Sequence, residues 1–100
     1  MDFESLMKAC PLIAILRGIT PDETAPVCDI LHKHGIRLLE IPLNSPEALR
    51  SIGIAVRHTE GRMMVGAGTV LAPEDVRNVA SAGGKFIISP NTDVAVIRQT

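Results

Sequence analysis

Aromatic residues are nearly missing from this chain: two phenylalanines and no tryptophan or tyrosine among 100 residues. A core without large rings must be built from Ile, Val, Leu and Ala, which suits close helix-on-sheet layers. An excess of charge is missing as well. The formal net charge is −1, which argues against nucleic acid or a membrane surface as partner, since either calls for a basic patch. Cysteine is scarce. Cys10 and Cys28 do not make a disulfide framework, and they fit a reduced, cytoplasmic compartment. No apolar run approaches the roughly 20 residues that span a bilayer. The opening segment, Met1 to Lys8, carries two acids and no basic stretch, so it does not read as a secretory signal. What remains is 46% hydrophobic, a core-forming composition.

The pattern that is present is a repeat. An apolar run ends in polar or glycine residues, and a proline–acid pair then opens a helical segment. The runs begin near Leu12, Arg37, Met63 and Phe86, a spacing of about 25 residues, close to what a strand, a helix and two short loops need. Leu12 to Leu16 is continuously apolar, as for a strand buried on both faces. Thr20-Pro21-Asp22-Glu23 reads as a capping box with proline at the first helical position. Val27, Ile30, Leu31 and His34 follow at helical spacing, and Gly35 ends the helix. The second unit runs from Leu38 to Leu43, after which Ser45-Pro46-Glu47 opens a helix carrying Leu49, Ile52 and Val56. The third runs from Met63 to Val70. There Pro73-Glu74-Asp75 opens a helix carrying Val76, Val79 and Ala80, closed at Gly83-Gly84. The fourth runs from Phe86 to Ile88 and ends at Ser89-Pro90-Asn91. Asp93 to Thr100 read as the first turns of a helix without a stop signal, so the chain is expected to be a fragment.

Strand–helix repetition without hairpin signals predicts parallel strands. Near-equal units, with no G-x-G-x-x-G after the first strand, favour a closed barrel over an open doubly wound sheet. The fold expected is α/β, a (β/α)8 TIM barrel with its first four β/α units present. Residues 1–100 would form the N-terminal half of one barrel domain.

A barrel places its chemistry at the carboxyl ends of its strands, where Arg17, Glu40, Asn44, Thr69, Ser89 and Asn91 stand. Glu40 is the sharpest signal. Alternation puts Leu38, Glu40 and Pro42 on one face, and the wholly aliphatic Leu39, Ile41 and Leu43 on the face toward helices. A carboxylate pointing into the barrel is costly unless paired or used. Burial would raise its pKa toward the range of a general acid/base; the alternative is a structural ion pair with Arg17. Arg17 itself either clamps a carboxylate or phosphate or neutralises Glu40. Gly66-Ala67-Gly68-Thr69 either lets a ligand approach the backbone or is a plain tight turn. Pro42 removes a ladder donor beside Glu40. Ser89-Pro90-Asn91 marks a strand end, and plain helix capping is its simplest role. His32, His34 and His58 lie away from the strand ends without metal-site geometry. None of Lys8, Lys33 and Lys85 sits at the carboxyl end of a strand.

Four segments resemble a known family. Pro11-Leu12-Ile13-Ala14-Ile15-Leu16-Arg17-Gly18-Ile19-Thr20-Pro21-Asp22-Glu23 is similar to the opening of the 2-keto-3-deoxy-phosphosugar (KDPG/KHG) aldolases. Glu40-Ile41-Pro42-Leu43-Asn44-Ser45-Pro46 resembles their catalytic second strand. Val65-Gly66-Ala67-Gly68-Thr69-Val70 and Ile88-Ser89-Pro90-Asn91 resemble the third and fourth strand ends. Asn44 resembles the branch acting on the galactonate-derived epimer, since arginine is usual there in the gluconate-acting branch. The resemblance implies a class I aldolase in which a lysine forms a Schiff base with the keto carbon. Cleavage then gives pyruvate and glyceraldehyde 3-phosphate. It assigns proton transfer to Glu40, contact with the carboxylate end of pyruvate to Arg17 and Thr69, and a pocket wall to Pro90. It implies no metal or organic cofactor, because the protonated imine is the electron sink. It also implies a homotrimer whose partners are the phosphorylated 2-keto-3-deoxy sugar acid and pyruvate. The family's lysine lies on the sixth strand and its phosphate site after the seventh and eighth. The 100 residues alone are therefore expected to be inactive. The alternatives are the gluconate-acting enzyme and a non-catalytic half-barrel.

Overall fold

The computed structural model describes residues 2–100, so Met1, at the head of the segment read above as no leader, lies outside it. The first element is a helix that the repeat pattern does not announce, α1 (Phe3–Ala9). Asp2 caps it, its carboxylate accepting from the Ser5 N–H at 2.8 Å. An acid followed by good helix formers and a terminal Lys8 is the local signal for it.

The repeat then unfolds as read. β1 (Ile13–Ile15) leads to α2 (Pro21–Lys33), β2 (Leu38–Pro42) to α3 (Ala48–His58), and β3 (Met64–Gly68) to α4 (Pro73–Ser81). The strands form one parallel sheet in the order β1-β2-β3. The expected fourth strand is reduced to a single parallel bridge, Ala67 to Ile87. Backbone bonds around it keep the course of a strand, from Lys85 N–H to the Val65 carbonyl at 2.8 Å to Ile88 N–H to the Ala67 carbonyl at 2.8 Å. The segment is short because Gly83, at φ +99°, turns into it and Pro90 follows it without an N–H to donate. The terminal helix, α5 (Val94–Gln99), is capped by Asp93, whose carboxylate accepts from Ala95 and Val96. Ser89-Pro90-Asn91 is thus not the cap.

The helix starts differ in how they are made. At α2, the Glu23 carboxylate accepts from both the N–H and the hydroxyl of Thr20, at 3.0 and 2.9 Å. Those two bonds hold the Glu23 carboxyl below its ordinary pKa. At α3 no side chain caps; Glu47 enters it in the left-handed region, φ 45°. Ser45 and Pro46 sit in the turn before it.

One apolar layer lies between the sheet and α2 to α4. Leu39, Ile41, Val65 and Ala67 of the sheet meet Cys28, Ile52, Ala55, Val76 and Val79 of the helices. Ile30 does not join it and is 60% exposed. The packed stripe of α2 runs through Thr24, Val27, Cys28 and Leu31, one residue round from the spacing expected above. Burial pushes the Cys28 thiol up to about 11, so it is an inert core residue.

Candidate active site

The other face of the sheet carries the candidate chemistry. Register places Ile15, Glu40 and Gly66 side by side, with Pro42 beside Gly68 one step further along. Glu40 therefore shares its face with Leu38 and Pro42, as alternation predicts, and that face is walled off from the aliphatic layer. Below it, the Phe86 ring occupies the space over Gly66, where an added Cβ would stand 2.5 Å from the ring. Phe3 of α1 meets Phe86 edge-to-face at 5.3 Å. The two aromatic residues of the chain thus close the amino end of this face.

Glu40 is 3% exposed. A Cβ placed on Gly68 would fall on its carboxylate, so the side chain leans forward along the strand and fills the room that glycine leaves. This revises the sequence reading of the glycines. The space at Gly66 and Gly68 is taken by Phe86 and Glu40, and the strand end is open only beyond them. Among the described residues no cation stands within 4.0 Å of the Glu40 carboxylate, and no hydrogen bond to it is formed. The structural ion pair with Arg17 is therefore not made. Burial raises the Glu40 pKa above its ordinary value, and the field of Arg17 pulls it part of the way back.

Arg17 lies exposed at the end of β1 and turns to Asn44, its Nη1 donating to Oδ1 at 3.1 Å. Thr69 follows Gly68 directly and holds φ 54°. A β-branched residue in the left-handed region is strained, and such strain gathers at functional sites. Thr69 is half-buried and Pro90 exposed; Arg17, Glu40 and Thr69 gather at one end of the sheet, while no hydrogen bond ties Pro90 to them. Lys85 is on the opposite side, at the amino end of β3, lining a pocket with Glu60, Met63 and Met64. Sequence reasoning missed the Arg17–Asn44 bond and the Thr69 backbone. Nothing in a linear pattern reports either one.

Parallel strand–helix units, with polar residues at the carboxyl ends of the strands and an aliphatic layer under the helices, define the opening units of a (β/α)8 barrel. The family model described as KDPG and KHG aldolase matches residues 3–100, and the chain belongs to that family. It is 48% identical over 88 residues to a protein of Rhizobium meliloti (strain 1021) named "Probable 2-dehydro-3-deoxy-6-phosphogalactonate aldolase", covering 88% of this chain and 42% of that one. The 2-dehydro-3-deoxy-6-phosphogalactonate aldolase of Escherichia coli (strain K12) is 46% identical, over 89% of this chain and 43% of its own length. In structure, the chain is similar to the KDPG aldolase of Legionella pneumophila with pyruvate captured as a covalent carbinolamine. There the TM-score is 0.86 at 26% identity, covering 95% of this chain and 46% of that one. The chain thus spans less than half the length of these relatives.

Proposed function

We propose that residues 1–100 supply the proton-transfer half of a class I aldolase. The whole protein would cleave 2-dehydro-3-deoxy-6-phosphogalactonate to pyruvate and glyceraldehyde 3-phosphate. The observation that carries the reading is the Glu40 carboxylate, buried, unpaired and leaning toward the carboxyl end of its strand over Gly68. Burial raises the pKa of such a group toward the range in which a carboxyl can both take up and return a proton, as a proton shuttle must. The two galactonate-acting relatives, at 48% and 46% identity, support this epimer over the gluconate one.

In this reading a lysine amine attacks the keto carbon and water leaves, forming the protonated imine. Glu40 takes the proton of the hydroxyl next to the scissile bond. That bond breaks as its electrons flow into the imine, glyceraldehyde 3-phosphate leaves, and the resulting enamine takes a proton back. Hydrolysis of the imine releases pyruvate. Arg17 and Thr69 hold the carboxylate of the pyruvate portion, and Pro90 walls the pocket. Lys8, Lys33 and Lys85 are all away from Glu40's end of the sheet, and the family resemblance assigns the amine to a sixth strand and the phosphate site to the ends of a seventh and eighth. The 100 residues form the N-terminal half of one barrel domain, and the enzyme works as a cytoplasmic homotrimer. The two free thiols, Cys10 and Cys28, support that compartment. Among the described residues no helix is long and apolar enough to cross a membrane.

The test is pyruvate release from both epimeric phosphosugar acids, by the protein expressed from its whole reading frame. Faster release from the galactonate epimer is the expected result. Release from neither overturns the reading. Borohydride trapping with pyruvate should mark a lysine other than Lys85; an adduct on Lys85 would contradict the assignment.

A further inference from the structure

Two consecutive residues after β2 each reach back to the end of β1. Asn44 Oδ1 accepts from Arg17 Nη1 at 3.1 Å. Ser45 Oγ accepts from the Gly18 N–H at 3.0 Å. The bonds tie neighbouring residues at one strand end to neighbouring residues at the next. Ser45 is 6% exposed, and its own N–H is fixed to the Pro42 carbonyl at 3.0 Å. Water therefore competes little for its bond to Gly18. Gly18 holds φ 82°, a conformation that turns the chain out of the strand just after Arg17. The last sheet bond before it runs from the Leu16 N–H to the Glu40 carbonyl at 2.9 Å. Beyond Leu16, Ser45 and Asn44 take over from the sheet.

We infer that Asn44 and Ser45 are positioning residues, a two-point clamp that fixes Arg17 at the mouth of the site. Ser45 sets the backbone from which the arginine springs. Asn44 engages one guanidinium nitrogen and leaves the remaining donors open to an anionic group of the substrate. An exposed arginine without such a hold samples many rotamers, and a ligand that recruits it must first order it. The clamp does that ordering in advance. It also turns the guanidinium toward Asn44 rather than onto the Glu40 carboxylate, which stays unpaired. The inference deepens the reading of Arg17 given above and rests on it for its effect on the substrate.

A double-mutant cycle in the protein expressed from its whole reading frame tests it. Asn44→Ala should raise KM for the phosphorylated keto acid about 3- to 10-fold, the scale of one hydrogen bond, and leave kcat within about 2-fold. In an Arg17→Ala background the same substitution should change nothing further, because the two act as one unit. A full additive loss in that background overturns the inference. Nitrogen relaxation of the Arg17 Nε–H reads the clamp without any substrate. The group should be ordered in the parent and in Asn44→Asp, which keeps the acceptor, and mobile in Asn44→Ala and Ser45→Ala. Equal mobility in parent and Asn44→Ala overturns the clamp whatever KM does. If Arg17→Ala leaves KM unchanged while the Nε–H loosens in Asn44→Ala, the clamp stands and the anion-binding reading of Arg17 falls.

Discussion

The two faces of β2 are buried to the same degree for opposite ends. On one, Leu39 and Ile41 disappear into an aliphatic layer with Ile52, Ala55 and Val79. On the other, Leu38, Glu40 and Pro42 are as deeply covered, yet one of them is a carboxyl that nothing pairs. The outer face is stabilised by every contact it makes. The inner face holds a group that burial destabilises, as active sites commonly do. One strand therefore contributes stability through its odd-numbered residues and, in the proposed function, chemistry through an even-numbered one. A single-residue slip in register would exchange them.

The strongest challenge to that contrast is Glu40→Gln. In the complete enzyme it should lower turnover by roughly 10²–10⁴-fold, the scale of general acid/base catalysis. Burial raises the Glu40 pKa in the folded state, so the native chain holds its proton where the unfolded chain has lost it. Stability should then fall as pH rises from the ordinary value of 4.5 through the raised one, and the amide should abolish that fall. Urea unfolding at about pH 4 and about pH 7 reads it, with the variant the more stable at the higher pH. A less stable variant there would return Glu40 to a structural role.

On the outer face the expectation reverses. Ile41→Ala should remove about 2–5 kcal/mol of stability, as fully buried aliphatic truncations do, without altering the pH profile of turnover in the molecules that remain folded. A changed profile would mean the two faces are coupled through the strand.

Gly68→Ala probes the room that the carboxylate uses. The new methyl would occupy the place of the Glu40 carboxylate, which must swing aside. Turnover should drop by about 10- to 10²-fold through misplacement of the shuttle. Stability should change little, since the displaced atoms are the end of a flexible side chain. Unaltered turnover would show that the carboxylate works from a different position.

The smallest effect belongs to the surface between α2 and α3, where His58 and Asp29 meet at 2.8 Å, both partly exposed. Asp29→Asn should shift unfolding by less than about 1 kcal/mol, as exposed pairs do. A larger shift would mark that surface as part of the stability of the outer layer.

Much of this was legible in the residues themselves. The four-fold punctuation at Thr20-Pro21, Ser45-Pro46, Pro73-Glu74 and Ser89-Pro90 located the units. Period-two alternation around Glu40 told its face, because a strand has only two. Local rules failed where the partner lay far along the chain. The fourth run has strand composition, yet between the turn at Gly83 and Pro90 it makes a single bridge. Ser45 looks like the start of a helix, yet its hydroxyl serves Gly18. Gly66 and Gly68 look like room for a ligand, and Phe86 and Glu40 fill it.

The sequence by itself determined the order of the three strands and of the helices after the first, the parallel sheet and the inward glutamate, because periodicity and capping act within a few residues. Only the tertiary structure decided that Glu40 stands unpaired, that Arg17 answers to Asn44, and that Thr69 bears a left-handed backbone. The Arg17–Asn44 bond joins residues 27 apart in the chain, where distance in space, and no local propensity, selects the partner.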